Sequence, residues 1–122
     1  MADNGSNSWG VSFGRIMFLD QILRNHSNVS SVSRSNDIMY TVQRTRQGDT
    51  LNILCVDEYS FGIAMAHRAL DEFGDVDIIF VGGKWNRPTE ETVAFLRDRK
   101  IGVYNAKDIN GALQSDAYWK YN

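Results

Sequence analysis

A chain of 122 residues, 43% hydrophobic and 23% charged, has the size and composition of one globular domain with a core of its own. A formal net charge of −2 excludes a global basic field advertising nucleic acid, and no apolar run approaches the roughly 18–20 residues that span a bilayer. Cys55 is the single cysteine, which excludes an intramolecular disulfide and a cysteine-based metal cluster.

Residues 1–10 are rich in Asn, Ser and Gly and are expected to form a disordered tail, with Trp9 as a candidate anchor. They carry no positive charge and no apolar segment, so no secretory signal is expected and a cytoplasmic protein is the default. Residues 11–122 then form one α/β domain. Ser12 is placed to cap a helix over 13–25, whose Phe13, Ile16, Met17, Leu19, Ile22 and Leu23 follow the spacing of one buried face. Val29 to Ser33 alternates weakly and reads as a short strand. Ile38, Tyr40 and Val42 alternate with Met39, Thr41 and Gln43, the pattern of a half-buried strand. Gln47-Gly48-Asp49 supplies turn chemistry, and Leu51–Val56 returns as a more fully buried partner, completing a hairpin. In that run Cys55 reads as a small buried hydrophobe.

From Ser60 to about Phe73 the spacing predicts a helix, ended by Gly74. Asp77–Val81 is a buried strand stopped by Gly82-Gly83, and a loop carrying Trp85, Asn86 and Pro88 follows. Thr89-Glu90-Glu91-Thr92 opens a helix to about Arg99, with acids favourably placed for its macrodipole. Ile101–Tyr104 is a short strand and Lys107–Gln114 a final helix. Strand and helix alternate through this half, which argues for parallel pairing through right-handed crossovers. The aromatic tail 115–122 is expected to pack across the domain.

Helix, three strands, helix, strand is the order in which the restriction-endonuclease-like, or PD-(D/E)XK, superfamily builds its core. The strand DIIFVGG, the helix TEETVAFLRDRK and the closing IGVYNAKDINGAL resemble the end of Mrr-type endonuclease domains. The resemblance covers residues 76–114 by pattern and the rest by element order. It implies a three-layer domain, a mixed central sheet with helices on both faces, extended by a C-terminal helix–strand–helix. In that superfamily an acid begins the second core strand, and the third carries an acid or Gln followed two residues later by a Lys. Two close carboxylates then hold Mg²⁺, and the Lys offsets charge in the transition state. Asp37 falls at the first acid. On the third strand Cys55 takes the place of the second acid and Asp57 that of the Lys, and no Lys or Arg occurs between Thr50 and His67. A displaced basic residue is expected from Arg68, Lys84, Arg44 or Arg46.

Asp37, Asp57 and Glu58 are therefore the candidate catalytic residues, with Asp37 and Asp57 as metal ligands in an active nuclease. The plainer alternative makes Asp37 a turn residue and Asp57 or Glu58 a helix cap. Arg34, Arg44 and Arg46 cluster on the hairpin, where Arg44 and Arg46 would share one strand face and meet phosphates together; the alternative is a solvated edge. Lys84 and Trp85 complete the candidate nucleic-acid contacts, Trp85 either stacking on a base or packing locally. The reading that follows is a catalytically degenerate nuclease-like domain with no cofactor, binding nucleic acid or a protein partner in DNA processing or defence. Its rivals are an active Mg²⁺-dependent nuclease, and an interaction module dimerising through the hairpin edge or through Tyr118, Trp119 and Tyr121. No membrane contact is expected.

Overall fold

The computed structural model describes residues 7–121. Helix α1 spans Phe13–Asn25, and the Arg15 amide donates to Ser12 Oγ at 3.1 Å, so the expected cap forms. Strands β1 (Val29–Ser35), β2 (Met39–Arg44) and β3 (Thr50–Cys55) follow as antiparallel neighbours, with Tyr40 opposite Ile53 and Val42 opposite Leu51. Between β1 and β2 the chain reverses through Asn36 and Asp37, both at positive φ. Asn and Asp tolerate that left-handed geometry better than other residues with a side chain, which is why the turn falls there.

After β3 the pairing becomes parallel. Strands β5 (Ile78–Phe80) and β7 (Gly102–Tyr104) extend the sheet in the order β1-β2-β3-β5-β7. Helices α2 (Ile63–Phe73) and α3 (Glu90–Arg97) make the two crossovers. Both crossovers step in the same direction, so right-handed connections place these helices on one face; α2 and α3 do pack against each other. On the opposite face, α1 meets the sheet where Tyr40 Oη donates to the Ile16 carbonyl and to Asp20, both at 3.1 Å. Helix α4 (Ile109–Gln114) joins α1 there: His26 Nε2 lies 2.9 Å from the Asn110 carbonyl and Asn28 Nδ2 donates to the Leu113 carbonyl. A five-stranded mixed sheet with four helices results, compatible with a three-layer α/β domain. Its centre is the apolar block of Ile53, Leu54, Ile78, Ile79 and Phe80, all without exposure. Among the described residues no helix is long and apolar enough to cross a membrane.

Three local expectations are corrected. The helix expected from Ser60 starts at Ile63, because Ser60–Phe61 is a short strand, β4, paired in parallel with β6 (Arg87–Pro88). Burial of Phe61 and hydrogen bonds from Arg87 N to the Tyr59 carbonyl (2.9 Å) and from Thr89 N to the Phe61 carbonyl (3.0 Å) hold this segment extended. The loop expected to be irregular through Pro88 is thereby tied to the chain emerging from β3. The helix after it also ends at Arg97, short of Arg99.

Both ends of the described chain are fastened down. Trp9 is buried, donates its indole N–H to Glu72 and lies under the Arg68 guanidinium at 3.9 Å. Of the expected disordered tail, residues 1–6 lie outside the described residues. The aromatic tail packs inward as expected: Tyr118 Oη donates to Asp77, Tyr104 Oη to the Tyr118 carbonyl, and the Tyr121 amide to Tyr104 Oη. It closes over β7, an edge strand of the sheet.

Candidate functional site

The carboxyl ends of β3, β5 and β7 deliver Asp57-Glu58-Tyr59, Gly82–Asn86 and Asn105 to one end of the sheet, the place where open α/β sheets receive ligands. Three side-chain amides and carboxylates knit these loops. Asn86 Nδ2 donates to Asp57 Oδ1 at 2.9 Å and to the Val81 carbonyl at 2.8 Å. Asn105 Nδ2 in turn donates to the Asn86 carbonyl at 2.9 Å. This network needs a glycine at its centre. Gly82 sits at φ +111°, and a Cβ there would come within 2.6 Å of both Asp57 Oδ1 and Asn86 Nδ2.

Asp57 also faces a cation. Arg15, from the first turn of α1, places Nε 3.3 Å from Asp57 Oδ2, with both side chains about one-third exposed or less. The same Nε makes no aligned hydrogen bond, so the pair attracts by charge alone. Arg15 is the basic residue the sequence failed to nominate: none of Arg68, Lys84, Arg44 or Arg46 comes to this carboxylate. No spacing in the sequence marks it, since it occupies a polar position of an amphipathic helix far from β3 in the chain.

Asp37 reaches the same end of the sheet, because Cys55 at the end of β3 donates its amide to the carbonyl of Ile38, which leads into β2. Its side chain is buried, accepting from Asn7 Nδ2 at 2.8 Å and from Arg34 Nη1 at 3.0 Å. Asp37 is thus a turn residue and a buried ion-pair partner at once. Between the two acids, burial pushes the Cys55 thiol up to about 12, opposed by Arg15 and reinforced by Asp57 and Asp37. It stays protonated and inert at neutral pH. Glu58 follows Asp57 without a hydrogen bond or ion pair for its carboxylate among the described residues. Neither acid caps α2, whose N-cap is Gly62 with no side-chain bond.

Asp57 and Asp37 each have an arginine against them, and among the described residues no three His, Cys, Asp or Glu side chains are grouped to hold a metal.

The hairpin arginines divide. Arg34 is spent on Asp37 and stacks near Phe13. Arg44 is a correction to the expected phosphate contact: its side chain has no exposure at all. Its Nε and Nη2 donate to the two Asp49 oxygens, both at 2.8 Å, and Nη1 donates to the Ser115 and Leu113 carbonyls. Arg46 does not share a strand face with it, lying beyond the end of β2 with its guanidinium on Gln114. These two residues fasten the hairpin to the end of α4.

Lys84 and Trp85 stand on the loop beyond β5. Trp85 is 70% exposed with Lys84 Nζ 5.3 Å from its ring centroid, so it is no local packing anchor. Tyr59 is 76% exposed, and its carbonyl accepts from the Arg87 amide, which places it just before β4 and beside the same loop. Sequence reasoning missed Tyr59. Comparison with protein-family models, with curated proteins and with solved structures returns no match for this chain.

Proposed function

We propose that this chain is a restriction-endonuclease-like domain that binds single-stranded nucleic acid and does not cut it. The order of its main elements supports the scaffold: a helix, three antiparallel strands, a crossover helix and a parallel strand. What carries the binding reading is the exposure of Tyr59 and Trp85 around a loop that also presents Lys84. Large aromatic rings are normally withdrawn from water, and two left out beside a cation form a platform on which bases stack and phosphates are neutralised. The carboxylates behind the platform support loss of cutting, because arginines already neutralise Asp37 and Asp57 and the Lys of the motif is absent. An arginine beside Asp57 can steady a phosphate but cannot accept a proton from water.

Fluorescence anisotropy with a labelled oligothymidine tests this. Binding that weakens with salt is expected, and Trp85→Ala should remove about 1–3 kcal/mol, the worth of one stacked base. Lys84→Gln should lower the salt slope by about 0.7, the single-strand value for one phosphate contact. No binding at low salt sinks the proposal. Cleavage of plasmid or RNA with Mg²⁺ or Mn²⁺, lost in Asp37→Ala and Asp57→Ala, would instead establish an active nuclease, with Arg15 in place of the missing lysine.

A further inference from the structure

A second concavity lies at the β7 edge of the sheet, between α3, β6 and the aromatic tail, with a volume of about 190 Å³. Its wall holds two guanidiniums, Arg87 and Arg97, and neither makes an ion pair or a side-chain hydrogen bond among the described residues. Arg97 is the more telling of the two, since its Nε is sealed from solvent and still has no partner. A buried donor left unmet costs free energy unless something supplies an acceptor. The contrast with Arg44, buried against Asp49, the Leu113 and Ser115 carbonyls and the Tyr118 ring, shows that this fold can satisfy an arginine fully. Trp119 and Tyr121 line the same pocket, and Lys100 Nζ stands 5.4 Å from the Trp119 ring centroid. Among the described residues of the lining Asp108 is the one acid, so two arginines against it leave a surplus of one positive charge.

We infer that this pocket binds a nucleoside monophosphate. Its phosphate would meet the Arg87 and Arg97 guanidiniums, whose planar forks suit phosphate oxygens. Its base would lie against Trp119 and Tyr121, with Asp108 accepting from an exocyclic amino group. A phosphate carries about −1.5 to −2 charge at neutral pH, which calls for both arginines where a carboxylate would need one. The volume falls below the roughly 300–1,000 Å³ of drug-sized sites, so a dinucleotide is excluded and part of a mononucleotide would project beyond the concavity. The site adjoins the loop network through Asn105 but uses none of the platform side chains, Tyr59, Lys84 and Trp85.

Titration of the isotope-labelled full chain with adenosine 5′-monophosphate, adenosine and inorganic phosphate, followed by amide and indole NMR signals, tests the assignment. The monophosphate should shift the Trp119 indole saturably, with adenosine and phosphate each weaker by roughly ten-fold or more, because each engages half of the pocket. Arg97→Gln and Trp119→Leu should each weaken it by roughly ten-fold, while Trp85→Ala leaves it unchanged. Spectral dispersion reports whether each variant is folded, and using two variants keeps the test sound if one is not. Absence of saturable shifts, or shifts abolished by Trp85→Ala and kept in Arg97→Gln, overturns the inference.

Discussion

Two of the arginine–aspartate pairs, Arg44–Asp49 and Arg15–Asp57, lie at opposite ends of the β2–β3 hairpin and are built differently. At the turn end, Arg44 makes a two-pronged contact with Asp49 and gives its remaining nitrogen to the last carbonyls of α4 and the chain beyond. At the other end, Arg15 stands 3.3 Å from Asp57 without an aligned hydrogen bond, and both remain open to water. The first pair is a rivet joining hairpin to helix. The second is a loose charge pair facing a loop network and an exposed aromatic platform. Identical residue types therefore mark structure in one place and accessible chemistry in the other, and what separates them is whether every donor already has an acceptor.

The largest effect is expected at the rivet. Asp49→Ala leaves the Arg44 guanidinium buried without its counter-ion, and urea denaturation should show a loss of about 3–5 kcal/mol with nucleic-acid binding by the surviving folded protein intact. A loss under about 1 kcal/mol would mean that the two pairs do not differ in kind. Hydrogen bonding to Arg44 also holds the Asp49 carboxyl below its ordinary value of 3.8. This contribution is fully present above that value and disappears as pH falls through the lower, folded one. In Asp49→Asn the acid limb of the stability–pH curve should accordingly flatten below about pH 4.

Gly82→Ala comes next. A side chain at φ +111° that also meets Asp57 and Asn86 should cost about 1–3 kcal/mol by thermal or urea unfolding, and should loosen the 82–86 loop that carries Lys84 and Trp85. Unchanged stability there would mean that the Asp57–Asn86 network does not hold the loop. Smaller still is Asp57→Asn. Its effect on stability should stay within about 1 kcal/mol, as for exposed ion pairs, while removal of a negative charge from the platform tightens oligonucleotide binding. Weaker binding in this variant would assign Asp57 a direct ligand contact. Finally, Cys55 should resist a thiol reagent in the native chain and react on unfolding, since its thiol is buried and protonated.

Much of the element order was legible because it rests on local rules. Ser12 and Thr89 cap the helices expected to follow them, and Gly74 ends α2 with φ 68°. The departures come from longer-range pairing. Ser60–Phe61 looks helical because its apolar residue continues the spacing of α2, yet β6 captures it as a strand. Arg44 looked like half of a phosphate contact on a period-two face. Neither part of that expectation held: Arg46 lies beyond the end of β2, and the α4 and tail carbonyls that bury Arg44 lie about 70 residues further along the chain.

By itself the sequence determined the alternation of strands and helices, the hairpin, the parallel second half and the burial of Cys55, all consequences of short-range periodicity, capping and turn chemistry. Only the tertiary structure decided which charges are spent. It brought Arg15 to Asp57 across more than forty residues, buried Arg44, and left Tyr59 and Trp85 in water. A side chain's neighbours come from every element packed around it, and no local pattern encodes whether a charge finds its partner.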